Sequence, residues 1–366
     1  MIGIQYLLLD ERTMTLINHT ILQNTVRTLQ EKHNLPGISV CLTNSDGSDH
    51  IYAAGVRQLG TNDVLNAHDH HRVGSITKIV ISTLLLKLQE KGHLSLEQTV
   101  ESILPGLLTH GRHITVRQLL QHRSGLKDYI WMDVAGTKCI QHALSCPKDD
   151  FPPQSLIRLI RDQDLEFEPG TQYSYSNTGY ILLGLIVEKL SGKTIEEVIH
   201  QWIIQPLHLK RTYFPSANEL RHPYATGHSI ATEDMSELSD ELTYINILNV
   251  SIIWTAGALI SNPIEIQSFM KALFNGSLLS EESLKEMVHF QATDDPSNSY
   301  GLGIQKYRFD NGKSALGHQG GIHGYESVTL YYPEDELFLT VIVNQMPVGV
   351  VRIANQVFNE VLRNES

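Results

Sequence analysis

The sequence predicts an α+β fold: an antiparallel β-sheet flanked by helices and built from both chain ends, with an inserted all-helical domain. Three observations carry this reading. Strand-like apolar alternation appears near the N-terminus, it returns after residue 300, and a proline-punctuated helical stretch lies between. Strands and helices segregated along a chain in this way belong to α+β architectures. The expected boundaries are 1–94 and 251–366 for a discontinuous sheet domain and 95–250 for the helical insertion.

Leu16 to His33 reads as a helix, closed by Pro36-Gly37. Two alternating runs follow, Ile38 to Leu42 and Ile51 to Val56, and Asn44-Ser-Asp-Gly47 between them is a hairpin signal. Ile76 to Glu90 is apolar almost all round and stops at Gly92, the pattern of a helix buried in a large core. Between 95 and 250, helical segments are broken by Pro105, Pro147, Pro152-Pro153, Pro169-Gly170 and Pro206. Tyr180 to Leu190 is the clearest of them, ending at Ser191-Gly192. A helix from Pro263 to Phe274 stops at Asn275-Gly276. Strands return at Tyr300 to Phe309, at Ser327 to Tyr332 and at Leu337 to Asn344, with turns at Asp310-Asn-Gly312 and Pro333-Glu-Asp335. Val350 to Leu362 closes the chain as a helix.

The 366 residues are 41% hydrophobic and 19% charged, which describes a globular chain of two to three domains' length. The best apolar run, Ile181 to Val187, stops at Glu188, far short of the roughly 18 residues of a membrane span. A net charge of −12 repels phosphate backbones and sets nucleic-acid binding aside. The N-terminus has no basic residue before its short apolar patch and no small-residue cleavage site, so it reads as cytoplasmic. A chain already trimmed of a leader, and so periplasmic or secreted, would read the same. Three cysteines make no disulfide framework, although Cys139 and Cys146 are spaced to pair, and Cys41 falls in phase with its strand as a structural residue. His68-Asp-His-His71 looks like a metal cluster, but neighbouring residues on an extended segment point to opposite faces, so no metal is expected. The acidic stretch Glu233 to Glu241 reads as a solvated loop, and nothing in the sequence signals an oligomeric state.

Three short motifs carry chemistry. A serine three residues before a lysine on one helix face brings an amine beside a hydroxyl, and burial lowers the lysine pKa enough for it to act as a base. The pattern occurs four times, at Ser75/Lys78, Ser124/Lys127, Ser145/Lys148 and Ser268/Lys271. Ser145 precedes a proline-rich stretch, Ser124 lies in a loop, and Ser268 sits mid-helix where its hydroxyl bonds back to the preceding turn. Only Ser75 stands at the first turn of a buried helix, where free N–H groups collect; taken alone it also fits an ordinary N-cap. Tyr175-Ser-Asn177 offers a phenol that needs a nearby cation to lower its pKa from about 10, and an amide able to pair with a substrate amide. Tyr244-Ile-Asn246 repeats that pattern. His318-Gln-Gly-Gly321 places glycines where a ligand can approach backbone, and an edge strand there can align a peptide-like substrate.

In this order and spacing the motifs resemble the serine β-lactamase and penicillin-binding superfamily. They come nearest its class C branch, with D-alanyl-D-alanine carboxypeptidases, D-aminopeptidases and related esterases. Lys91 to Leu96, Leu119-Leu-Gln-His-Arg-Ser-Gly-Leu126, Glu168 to Tyr180 and Thr255 to Ser261 are similar to further stretches of that family, and the likeness spans roughly residues 34 to 345. It implies a β-lactamase/transpeptidase-like fold and an acyl-enzyme mechanism on a small-molecule or peptide substrate, with no metal or cofactor. Ser75 is the implied nucleophile, Lys78 its activating partner, Tyr175 the general acid/base and Asn177 the substrate-amide contact. His318, Gln319 and Gly320 fall on the family's Lys-Thr-Gly strand, and the N–H groups of Ser75 and Gly321 are the implied oxyanion hole.

Two departures shape the function expected. His318 replaces a lysine and Gln319 replaces a small or hydroxyl residue, so a substrate carboxylate is held weakly. The reading is therefore a hydrolase of peptides, amides or esters, with a class C-like β-lactamase or a non-catalytic peptide-binding member as alternatives. His318 is expected to titrate near its ordinary value of about 6.5 and to strengthen carboxylate binding as pH falls.

Overall fold

The computed structural model describes residues 19–215, 220–231, 238–244 and 248–363. Helix α1 (His19–Lys32) precedes a hairpin of β1 (Gly37–Thr43) and β2 (Asp49–Gly55). A 3₁₀ turn over Gly74–Ile76 opens α2 (Thr77–Glu90). The helical middle of the chain contains α3 (Asn177–Ser191), and α4 (Pro263–Phe274) follows it. Six strands come next: β3 (Gln291–Ala292), β4 (Asn298–Tyr300), β5 (Gln305–Arg308), β6 (Ser314–Ile322), β7 (Tyr325–Tyr332) and β8 (Leu337–Val343). Helix α5 (Val350–Arg363) ends the described chain.

The eight strands form one antiparallel sheet in the order β2-β1-β8-β7-β6-β5-β4-β3. Its joint is the pairing of the N-terminal β1 with the C-terminal β8, Ile38 opposite Val343 and Leu42 opposite Leu339. Alternate residues of β1, Ile38, Val40 and Leu42, meet Leu22, Val26 and Leu29 of α1 and Ile353, Val357 and Phe358 of α5 in one apolar core. That core covers one face of the sheet. On the other, α2 and α3 are buried along almost their whole length in a second, larger core. Full burial of a Val, Leu or Ile side chain contributes about 1.5–3 kcal/mol, so a helix apolar all round is stable only inside such a core.

Several elements differ from the sequence reading. Residues 95–250 add small strand pairs to their helices: Asp133–Val134 with Thr137–Lys138, and His228–Ala231 with Leu238–Tyr244. His228–Ala231 also runs parallel to Gln345–Met346, just after β8. Part of the expected acidic loop is thus strand; residues 232–237 lie outside the described residues, as do Ile245 and Asn246 of the Tyr244-Ile-Asn246 repeat and the helix start at 16–18. All three thiols are free, so Cys139 and Cys146 do not pair. No helix among the described residues is long and apolar enough to cross a membrane.

The run Tyr300 to Phe309, expected as a single strand, is two strands joined at 301–304. The cause is tertiary. Gly303 has φ +72, a Cβ there would overlap Ser82 Oγ of α2, and it would come within 2.8 Å of the Tyr180 hydroxyl of α3. Its N–H also reaches the Leu120 carbonyl at 3.2 Å. The link between β4 and β5 is therefore plugged into the junction of the two buried helices. Gly303→Ala combines left-handed strain with overlap, and we expect a loss of about 2–4 kcal/mol in urea unfolding. An unchanged midpoint would show that this junction yields freely.

Candidate active site

Ser75 sits in the 3₁₀ turn ahead of α2, half-buried, and strand β6 lies directly against that turn. A Cβ at Gly320 would overlap the Val73 carbonyl and come within 2.9 Å of the Ser75 nitrogen. From β7, Ser327 Oγ donates to the same Val73 carbonyl at 2.8 Å. The glycine of β6 is thus a packing requirement: only backbone fits between the strand and the serine turn. Strand β5 pairs with β6 only from Ser314 to Gly317. Among the described residues, 318–322 are paired with β7 alone, which leaves the edge that the sequence reading looked for beside Ser75.

Lys78 follows one turn later and is fully buried. Its Nζ lies 3.0 Å from Ser75 Oγ, 2.9 Å from Asn177 Oδ1 and 2.7 Å from the Ala256 carbonyl. Burial brings its pKa down from 10.5 to about 7, against the opposing pull of Asp128. Asn177, at the first turn of α3, is held by Asp128 Oδ2, which accepts its backbone N–H at 3.1 Å and its Nδ2 at 2.8 Å. This fixes the amide with Oδ1 towards Lys78. Asn177 thus has a structural role as well, with one bond at each end of its amide inside the protein and a second Nδ2 proton still unused.

Tyr175 completes the cluster. It lines the same cleft as Ser75, and Lys78 Nζ lies 4.8 Å from the centre of its ring. The sequence reading had this lysine lowering the phenol's pKa. Burial outweighs it, and the phenol is pushed above its ordinary range, tempered by the 36% of Tyr175 that stays exposed to the cleft. At neutral pH, Tyr175 is a hydroxyl, and the group poised to exchange a proton is Lys78.

His318 requires a second correction. It is 1% exposed, with Nε2 on the Tyr300 hydroxyl at 2.9 Å and Nδ1 on the Gln319 carbonyl. Burial, with Lys78 nearby, lowers its pKa to about 3. The titration expected near neutrality does not occur. Gln319 gives its backbone N–H to the Tyr307 hydroxyl at 3.0 Å, and its side chain is exposed. With Gly320 and Gly321 these residues line a cleft of about 490 Å³ that also reaches Ser75, Tyr173, Tyr175, Glu326 and Met346.

The competing patterns disperse. Ser268 Oγ donates back to the Ile264 carbonyl at 2.9 Å, Lys271 pairs with Asp49 at 2.9 Å, and Lys127 points to Gln163 at 3.5 Å. His70 and His71 bond to the carbonyls of Pro223 and Asp69, and Asp69 pairs with Arg57 at 2.7 Å. Among the described residues, His142, Cys146 and Asp149 bring donor atoms within 4.8 Å of one another, and His142 is already paired with Asp149 at 3.1 Å.

The Beta-lactamase family model matches residues 22–360. The chain belongs to this family. Among its relatives, penicillin-binding protein 4* of Bacillus subtilis (strain 168) is 27% identical over 335 residues, 88% of this chain and 71% of that protein. Penicillin-binding protein 4 of Amycolatopsis lactamdurans is 28% identical over 58% of this chain and 53% of its own length. A solved D-stereospecific amidohydrolase from Streptomyces sp. superposes with a TM-score of 0.81 at 29% identity, covering 95% of this chain and 98% of that one. D-amino acid amidase from Ochrobactrum anthropi SV3, at 24% identity and TM-score 0.83 over 94% and 100% of the two chains, shares the fold. At this level the chain is a member of a serine hydrolase family.

Sequence reasoning missed three residues of the cluster. His122 was inside a quoted stretch without a role, Ala256 contributes only its carbonyl, and Asp128 has no pattern that marks it. Asp128 nevertheless sets the working range of the amine, because its charge holds the Lys78 pKa up. Asp128→Asn should move the acidic limb of kcat/KM to lower pH, since the amine then loses its proton more readily. The limb position, read independently of the expected drop in amplitude, decides it; a limb that stays or moves up contradicts the assignment.

Proposed function

We propose that the protein is a serine hydrolase that forms an acyl-enzyme on Ser75 with amide, peptide or ester substrates, of the carboxypeptidase or esterase kind rather than a β-lactamase. The observation that carries the reading is the partner set of Lys78 Nζ. Two of its neighbours, the Ala256 carbonyl and Asn177 Oδ1, can only accept, and the third is the Ser75 hydroxyl. A neutral amine has two protons and one lone pair. Its protons go to the two obligate acceptors, and the lone pair faces Ser75.

In the proposed reaction, Lys78 takes the Ser75 proton as Oγ attacks the scissile carbonyl. The oxyanion is received by the N–H groups of Ser75 and Gly321, each such donor contributing about 3 kcal/mol to the transition state. Tyr175 gives its proton to the leaving nitrogen or oxygen and is reprotonated from Lys78, closing the proton cycle. Water then attacks the acyl carbonyl, and the same groups take its proton and return it to Ser75 Oγ as the acyl–oxygen bond breaks. Glycine at 320 keeps the Ser75 turn and β6 close enough for both N–H groups to point at one oxygen.

The reading is tested by intact-mass labelling with a fluorophosphonate, followed by turnover of short-chain esters, D-aminoacyl amides and a chromogenic cephalosporin. One adduct is expected in the wild type and none in Ser75→Ala, with esters or amides turned over faster than the cephalosporin. A label that persists in Ser75→Ala, or that lands on Ser124, removes the nucleophile assignment. A cephalosporin outrunning every ester and amide returns the β-lactamase alternative.

A further inference from the structure

Beneath the cleft lies a second polar array that the acyl-transfer steps do not use. His122, Tyr300 and His318 are 2%, 1% and 1% exposed, and they stand in a row. The Ser176 N–H donates to His122 Nδ1 at 3.1 Å, His122 Nε2 meets the Tyr300 hydroxyl at 3.1 Å, and that hydroxyl meets His318 Nε2 at 2.9 Å. His318 Nδ1 closes the row on the Gln319 carbonyl.

The ends of this row have fixed polarity. A backbone N–H only donates, so His122 Nδ1 is bare and a neutral His122 carries its proton on Nε2. A carbonyl only accepts, so His318 Nδ1 carries the proton and the Nε2 of a neutral His318 is bare. Between them the Tyr300 hydroxyl accepts from His122 and donates to His318. No other placement of protons on two neutral imidazoles satisfies every atom.

We propose that the row centred on Tyr300 sets the substrate class: a buried, uncharged His318 is held with its one proton on the Gln319 carbonyl and its Nε2 filled by the Tyr300 hydroxyl, so no N–H is free for the cleft and the site takes substrates lacking a carboxylate beside the scissile bond. This deepens the hydrolase reading above and rests on it, narrowing it to amides and esters and leaving out the carboxypeptidase kind, whose substrates carry a carboxylate next to the scissile bond. The groups around His318 agree. Lys78 from α2 is the cation among them and opposes a second positive charge; Tyr175, His122 and Tyr300 offer rings or hydroxyls, and Thr329 of β7 is its strand partner. Among the described residues lining the cleft there is no lysine or arginine, and the one carboxylate is Glu326. Its oxygens are fixed by the N–H groups of Val348 and Val350 at 3.0 and 2.9 Å. A substrate carboxylate would meet a like charge and no counter-ion.

Two measurements test this. In ¹⁵N-histidine NMR of the wild-type protein, assigned with His122→Gln and His318→Gln, His318 should show the Nδ1–H tautomer and His122 the Nε2–H tautomer, both unchanged between about pH 8 and about pH 6. In kinetics, phenyl phenylacetate is compared with 3-carboxyphenyl phenylacetate, esters that differ only in the carboxylate. For the wild type, the ratio of their KM values should be independent of pH. His318→Lys puts a cation in place of the uncharged ring on the same strand. In this variant KM for the carboxylate ester, relative to its neutral twin, should fall about threefold or more below the wild-type ratio. The proposal is overturned by a wild-type His318 that titrates in this range or holds its proton on Nε2, or by a His318→Lys KM ratio equal to that of the wild type. If neither ester acylates Ser75, the hydrolase reading is what fails, and the tautomers still decide the proton row.

Discussion

A lysine amine buried out of reach of bulk solvent is the constraint on which the site depends. Lys78 is 0% exposed and its pKa is brought from 10.5 to about 7 by burial, a displacement of about 5 kcal/mol at about 1.4 kcal/mol per tenfold change in protonation. From about pH 7 to about pH 10.5 the unfolded chain holds a proton that the folded chain has released. The cost of burying this residue therefore shrinks as pH rises through that window. The same cost is what makes the amine a base at neutral pH. An exposed lysine beside Ser75 would be stable and chemically idle.

The surroundings follow from holding that amine. Three partners must reach one nitrogen from three separate parts of the chain: the serine turn, the first turn of α3 and the carbonyl of Ala256. The α3 contribution needs an amide facing the right way, which Asp128 fixes by accepting from both nitrogens of Asn177. The cleft side needs backbone without side chains, which Gly320 provides. The β4–β5 link is bent into the back of the same helix pair at Gly303, so the sheet and the buried helices form one rigid support. Polar atoms left over at depth are organised into a closed row from Ser176 to Gln319, which is the condition for burying three ring or hydroxyl groups without large penalty.

What the sequence discloses is what local pattern decides. The hairpin at 44–47, the helix from Pro263 to Phe274 and the buried helix after Ser75 follow from turn residues, prolines and apolar periodicity. The character of each segment set Ser75 apart from three other serines, although taken alone it also fits an ordinary N-cap. Tertiary facts were hidden. Asp128 acts on Asn177 across 49 positions of chain, and the break at 301–304 exists because α2 and α3 occupy the space behind it. Charge states were the least legible. Tyr175 and His318 were assigned from a neighbouring cation and an ordinary histidine value, whereas burial controls both.

The central claim is that Lys78 is a neutral amine for part of its population at neutral pH. NMR of ¹⁵Nζ- and ¹³Cε-labelled lysine, with the signal assigned through Lys78→Arg, reads this directly and requires no substrate. The account predicts one lysine whose signals move with a midpoint near 7, apart from the ordinary lysines that titrate above about pH 10. A Lys78 signal that stays that of an ammonium up to about pH 10 would contradict it, and the base at Ser75 would have to be sought elsewhere.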